Sequence, residues 1–401
     1  MSGISSGTLP DDAGRATLVG RVFDPAEDGP CVVAVRGDRV VDLTAVSPTM
    51  SELLDRRDVL DIARTAPGRR DWALDEVLSA TEAGESGVRF LSPVDLQVIK
   101  AAGVTFAASM VERVIEEKTS GDPSKALDVR ARIVSALDDA VGGSIGAVKP
   151  GSPEAAEVKR ILIEGGLWSQ YLEVGLGPDP EIFTKAPVLS SVGTGAAIGV
   201  LERSTWNNPE PEVVLAVTSG GVAVGATLGN DVNLRDFEGR SALLLSEAKD
   251  NNASCAIGPV IRLFDENFDL EAVKELEIGL TVRGRDGYFL EDTSSMRQMS
   301  RELRDLISHA YGSHHRYPDG FVLFTGTLFA PTQDRDVPGM GFTHRSGDRV
   351  TISAPSLGSL TNEVTTAESA ADWTFGIRAL IENLAGRSLL TPRTETRGQH
   401  P

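Results

Sequence analysis

The stretch WNNPEPEVVLAVTSGGVAVGATLGNDVNLRDFEGRSALLLSEAKDNNASCAIGP, Trp206 to Pro259, organises the reading of this chain. Glu210 and Glu212 lead into the apolar run Val213-Val214-Leu215-Ala216-Val217. Side chains two apart on a strand share a face, so both carboxylates project the same way. Ser219-Gly220-Gly221 reads as a turn, and Val222 to Leu228 as the returning strand. A hairpin of that size brings Asp231 back beside the two glutamates. Three hard oxygen donors without thiol or imidazole suit Mg²⁺, or Mn²⁺, with positions left for water or substrate. Lys249, eighteen residues beyond Asp231, supplies a nearby cation. Taken singly, the Glu-x-Glu pair also reads as a solvated strand edge, and Gly229-Asn230-Asp231 as a turn.

The remainder of the chain bounds what such a site can serve. A length of 401 residues accommodates two domains around a large core. A net charge of −19 argues against nucleic acid or an anionic membrane as partner. It also repels anionic substrates, so a small acid needs a local cation such as a metal, Lys249 or Arg235. Cys31 and Cys255 make no disulfide framework and read as small buried hydrophobes. MSGISSGTLPDDAGR has no basic segment followed by an apolar run. No apolar stretch approaches the ~20 residues that cross a bilayer. The expected location is cytoplasmic. His314-His315 has no carboxylate or cysteine at ligand spacing and reads as a loop pair.

The N-terminal part, 1–92, reads as a small mixed domain without catalytic residue types. Ala16 to Phe23 and Cys31 to Thr44 are expected strands, the second folded at Arg36-Gly37-Asp38-Arg39. Ser51 to Ala66 and Asp71 to Ala83 are expected helices. From 93 to 401 the chain reads as the metal-dependent domain. Helical turns are expected over Asp95–Ala102, and helices over Ala108–Lys118 and Asp122–Val141. A further helix starts at the Ser152 cap and Pro153 and stops at Gly165-Gly166. Strands follow over Val260–Phe264, Leu276–Arg283, Tyr288–Leu290 and Phe321–Phe324. Ser294–Tyr311 is read as an amphipathic helix with Met296, Met299, Leu303, Leu306 and Ile307 on one face.

Glu210-Pro211-Glu212, then Asn230-Asp231-Val232-Asn233-Leu234-Arg235-Asp236, then Lys249 form a pattern that resembles the fumarylacetoacetate hydrolase superfamily. The likeness runs from about residue 95 to the C-terminus. It implies an α+β, β-rich fold, with a mixed β-sandwich-roll catalytic domain preceded by a small N-terminal domain. It implies metal ligands Glu210, Glu212 and Asp231, and homodimers or homotetramers. Pro180 to Lys185 is similar to a pocket-lining family stretch, which brings Glu181 and Lys185 towards the site. Thr325-Gly326-Thr327 matches a family T-G-T whose last threonine, Thr327, reaches the substrate carboxylate, with Arg235 as a second contact.

Reactions differ across the superfamily. Its hydrolases carry G-x-N-Y-x-x-H, whereas this chain has Gly103-Val104-Thr105-Phe106-Ala107-Ala108-Ser109. Ser109 in place of that histidine disfavours hydrolysis. Gly166 to Val174 and Phe329 to Asp336 look most like the 2-keto-3-deoxy-pentonate dehydratases. The expected activity is therefore Mg²⁺-dependent dehydration of 2-keto-3-deoxy-D-xylonate (the same compound as the D-arabinonate derivative) to 2,5-dioxopentanoate. Lys249 is the expected C3 base, and Glu181 the group handling the departing hydroxyl. The alternatives are a diketo-acid C–C hydrolase and a non-catalytic sugar-acid-binding protein.

Overall fold

Val213 to Val217 can be apolar throughout because the strand they form is covered on both faces. Val213, Leu215 and Val217 enter one core, while Val214 and Ala216 enter another. The structure, a computed structural model, describes residues 7–84, 87–131, 148–166, 168–329 and 331–390. The N-terminal part contains β1 (Leu18–Asp24), β2 (Gly29–Arg36), β3 (Arg39–Asp42), β4 (Asp71–Ala73) and β5 (Arg89–Phe90). Next come β6 (Val98–Gly103), β7 (Glu181–Ala186), β8 (Ala197–Val200) and β9 (Asn207–Asn208). The central hairpin is β10 (Pro211–Val217) and β11 (Ala223–Asp231), followed by β12 (Asn233–Leu234) and β13 (Cys255–Leu263). The closing strands are β14 (Glu277–Arg283), β15 (Phe289–Ser295), β16 (Phe321–Phe324), β17 (Arg349–Ala354) and β18 (Gly358–Thr366).

An 11-stranded sheet runs β4-β3-β2-β1-β13-β11-β10-β16-β6-β7, with β5 also paired to β1. The N-terminal strands are thus hydrogen-bonded into the sheet that carries the central hairpin, through Leu18 opposite Arg262. A five-stranded sheet, β15-β14-β17-β18-β8, packs against the same hairpin. Val213 and Leu215 meet Ile278, Leu280, Ile352 and Leu360 in the core between the sheets. On the other face, Val214 and Ala216 pack with Met50, Leu53 and Ile62 from two short helices. The strand-rich α+β architecture agrees with the sequence reading.

Several elements differ from expectation. Asp95–Ala102 is not helical: it enters β6, which pairs in parallel with β16. Over so short an apolar run, periods of 2 and 3.6 are hard to tell apart, and the distant β16 decides. Ser51–Ala66 splits into Met50–Leu54 and Val59–Thr65, and Asp71–Ala73 is a strand preceding the helix Leu74–Ala83. Ser294 pairs with Ile278, so the helix expected from Ser294 begins only at Leu303. Met296, Leu303, Leu306 and Ile307 are buried nonetheless. The helix read over Asp122–Val141 lies partly outside the described residues. Ser152 caps the helix Pro153–Glu164 by accepting from Ala155 N, as read. Among the described residues no helix is long and apolar enough to cross a membrane.

Candidate metal centre

Strand parity builds the centre. Val213 and Leu215 fill the inter-sheet core, so Glu212 and Glu210, of opposite parity, face the other way. The antiparallel register sets Pro211 against Asn230 and Glu212 against Gly229, which returns Asp231 to the start of β10. Asp231 N donates to Glu210 O at 3.1 Å, and Glu210 N to Asn230 Oδ1 at 3.1 Å. Glu210, Glu212 and Asp231 are all buried, with one carboxylate oxygen of each lying within 4.8 Å of the others.

Two lysines reach the triad. Lys249 Nζ lies 2.5 Å from Glu210 Oε2 and 3.0 Å from Asp231 Oδ2. Lys185 Nζ lies 2.9 Å from Asp231 Oδ1 and donates to Val232 O and Lys249 O, so it fixes Asp231 and the Lys249 backbone together. Glu212 accepts from Gly326 N at 2.7 Å and Thr327 Oγ1 at 3.3 Å. Gly326 presents that amide at φ +105°, with no room for a Cβ beside Thr105 Oγ1.

The electrostatics are asymmetric. Burial would raise Glu210, but Arg113 and Lys249 outweigh it and hold the carboxyl down to about 2. Burial, then Asp231 and Glu210, push Glu212 well above the ordinary carboxylate range. Burial works against the Lys249 ammonium, yet Asp231, Glu210 and Glu238 raise its pKa overall. Burial also raises Glu181, against Arg113 and Lys249.

The helix Ala107–Thr119 closes the centre. Arg113 pairs with Glu210, with Glu116 at 2.7 Å and with Glu238 at 3.1 Å. Arg235 is stacked over Trp206 at 4.2 Å, with Nε 2.7 Å from Glu116 and Nη2 2.8 Å from Glu112. Its guanidinium therefore braces the helix rather than facing the triad. Arg130 donates to both oxygens of Glu112, at 2.9 and 2.7 Å. Ser109 spends its hydroxyl on Phe106 O at 2.9 Å. Glu181 sits opposite Gly103, where a Cβ would lie 2.0 Å from Glu181 Oε2. Among the described residues, no hydrogen bond reaches the Glu181 carboxylate.

Arg113, Glu116 and Glu238 carry no role in the sequence reading, although Arg113 touches the triad directly. Charged residues on an amphipathic helix look like a solvated face, and their partners lie far away in sequence. The signal available was Glu112-Arg113-x-x-Glu116, whose charges recur at helical spacing.

Charge counting tests the fit of a cation. The cluster joins seven carboxylates, Glu112, Glu116, Glu181, Glu210, Glu212, Asp231 and Glu238, to five cations, Arg113, Arg130, Arg235, Lys185 and Lys249. Without a cation the cluster sheds this excess of two negative charges by pushing Glu181 and Glu212 towards protonation, and a divalent hard cation in the buried all-oxygen site would let the triad ionise.

Sheet architecture and acidic triad together define a buried carboxylate site that could hold a metal ion, on a two-sheet scaffold. Residues 178–365 match the family model described as fumarylacetoacetate (FAA) hydrolase C-terminal. The chain is 30% identical over 336 residues to a probable 2-keto-3-deoxyxylonate dehydratase of Haloferax volcanii, spanning 84% of this chain and 95% of the relative. It is 33% identical over 185 residues to 2-dehydro-3-deoxy-D-arabinonate dehydratase of Saccharolobus solfataricus, spanning 46% and 58%. A solved structure of 2-keto-3-deoxy-D-arabinonate dehydratase complexed with magnesium and 2,5-dioxopentanoate aligns with TM-score 0.59 and 21% identity, covering 87% of this chain and 99% of that one. The chain belongs to the fumarylacetoacetate hydrolase family.

Proposed function

We propose that this chain is a Mg²⁺-dependent dehydratase that converts 2-keto-3-deoxy-D-xylonate to 2,5-dioxopentanoate. The observation that carries the reading is the buried triad of Glu210, Glu212 and Asp231 with Lys249 at its edge. The relatives named as dehydratases of this same keto acid support the substrate class. Mg²⁺ held by the triad would act as a Lewis acid on the 2-oxo group.

The protein's own groups divide the proton work. Lys249 takes the C3 proton as a free amine, a form that a cation bound to Glu210 and Asp231 would favour by offsetting the carboxylates that otherwise hold its ammonium charged. Glu181, kept protonated more readily by its burial, gives a proton to the C4 hydroxyl, which leaves as water. A proton shift from C5 to C3 then gives the C4=C5 enol, and transfer of its O5–H proton to C4 leaves the aldehyde. Thr327 holds Glu212 and contacts the substrate carboxylate. Lys185 fixes Asp231, and Arg235 sets the covering helix.

Hydrolysis lacks equipment here. Ser109 stands where the hydrolases carry histidine, and both oxygens of Glu112 are occupied by guanidinium groups. The reading extends to a homodimer or homotetramer in cytoplasmic pentose catabolism. Light scattering tests the assembly, and a mass near 42.5 kDa counts against it. Incubation with 2-keto-3-deoxy-D-xylonate and Mg²⁺ should give 2,5-dioxopentanoate. Acylpyruvate cleavage without dehydration would replace this reading with the hydrolase.

A further inference from the structure

Beside the triad lies a second row of buried polar atoms. Asn208 and Asn233 oppose each other across the β9–β12 pair, at 0% exposure each. Val232 and Leu234 enter the inter-sheet core, so Asn233 between them points to the opposite face, as Asp231 does. The Asn207 side chain is spent on Ser204 Oγ and the His344 amide, so Asn208 likewise faces away. By the same parity Trp206, Asn208, Glu210 and Glu212 lie on one face. Trp206 sits under Arg235 at one end of this row, and Arg113 grips Glu210 further along it.

Among the described residues, no partner reaches Asn233 Oδ1, Asn233 Nδ2, Asn208 Oδ1 or Trp206 Nε1. Asn208 Nδ2 alone is used, on Pro209 O at 2.8 Å. Buried polar groups are ordinarily hydrogen-bonded, so several orphans gathered at one place call for a ligand there. The set offers two donors and two acceptors and carries no charge. Hydroxyl groups, each both donor and acceptor, match it, whereas a carboxylate would leave the acceptors facing negative charge.

We propose that Asn208 and Asn233, with the Trp206 indole N–H, form the subsite that recognises the hydroxyl groups of the substrate's distal carbons. This rests on the dehydratase reading and specifies how that site selects a polyhydroxy acid over a bare 2-oxo acid. A site built to hydrogen-bond a substrate hydroxyl rejects the analogue lacking it, because its own polar groups are then left unpaired.

The test compares Asn233→Ala and the milder Asn208→Ser with wild type. Substrates are 2-keto-3-deoxy-D-xylonate and 4-hydroxy-2-oxopentanoate, which lacks the C5 hydroxyl. Wild type should prefer the first by ~10²-fold or more in kcat/KM, and either variant should reduce that ratio at least tenfold. Calorimetry gives a readout without turnover, using the Mg²⁺-loaded protein with D-xylonate as the hydroxylated probe and pyruvate as the bare oxo acid. The variants should weaken D-xylonate at least tenfold and leave pyruvate and Mn²⁺ binding unchanged. Equal losses for both probes, or no loss for D-xylonate in either variant, overturn the proposal. Selective loss of D-xylonate binding in a protein that never dehydrates the keto acid would keep the hydroxyl subsite and discard the dehydratase reading.

Discussion

At the scale of single residues, Glu212 is the most exposed to the absence of a cation, because among the described residues only an amide and a hydroxyl donate to its buried carboxylate. Changing Glu212→Gln should abolish tight Mn²⁺ binding by calorimetry, and EDTA should abolish wild-type turnover until Mg²⁺ is returned. Wild-type melting should also rise with Mg²⁺, since a ligand at a hundred times its Kd stabilises by about 2.7 kcal/mol. The variant should lose that rise. Lys249→Ala removes the assigned base and should slow C3 proton exchange, followed by NMR in D₂O, by ~10²–10⁴-fold. Mn²⁺ binding should survive, since the ammonium is a neighbour of the ligands and not one of them. Wild-type exchange in Lys249→Ala would move the base elsewhere, with Glu181 next in line. The triad was legible in sequence because a period of two and a short hairpin fix its geometry locally. Lys185 and Arg235 were brought to the site by resemblance as substrate contacts, but their actual partners, Asp231 and the carboxylates of a distant helix, depend on tertiary packing.

At the scale of elements, the helix Ala107–Thr119 is held over the centre by guanidinium–carboxylate pairs. Arg113→Met would leave Glu116, Glu210 and Glu238 buried with one cation fewer. Breaking a buried pair from one side costs about 3–5 kcal/mol, so the metal-free variant should melt well below wild type. An unchanged melting temperature would argue against the brace. The 331–348 segment is tied down by a second pair, Arg335 Nη1 to Asp348 Oδ2 at 2.5 Å. Burial opposes ionisation of Asp348, but His344 and Arg335 outweigh it and lower its pKa to about 2. A depressed carboxylate contributes its stability above the unfolded value of about 3.9 and loses it as pH falls towards 2. The amount is on the order of 2 kcal/mol. Asp348→Asn should flatten the acid limb of a stability–pH curve between those values and leave the neutral region lower; an unchanged limb counts against this. Element boundaries were less legible than the triad. β6 was read as helical because its partner β16 lies beyond residue 320, and Ser294 was assigned to a helix that a strand pairing claims.

At the scale of the molecule, the N-terminal strands and the central hairpin share one sheet. Val19, Val32 and Ala34 pack in the same core as Val214, Ile257 and Phe324. Deleting residues 1–92 would bare the edge of β13, an unprotected row of backbone donors and acceptors. The truncated chain should aggregate on expression, whereas a monodisperse, Mn²⁺-binding fragment would show that the remainder folds alone. The strands β1, β2 and β3 run close to the ranges expected from the sequence. Their pairing with β13 was not foreseeable, because nothing local in Leu18 to Asp24 names a partner near residue 262.

That pairing carries a consequence for biosynthesis. Leu18 meets Arg262, and Val98 meets Phe321, so β1 and β6 each wait on one neighbour more than 200 residues downstream. A ribosome adding about 5–20 residues per second leaves β1 without β13 for roughly 10–50 s. During that interval β1 can pair with β2 and β5, while the stretch Leu18–Val19 that faces β13 has no partner. Most of the acidic triad's scaffold is completed late, when β13 closes the gap and seats Asp231 beside Cys255. A chaperone that shields β1 until residue 263 has left the exit tunnel would therefore raise the yield of active protein more than one acting after release.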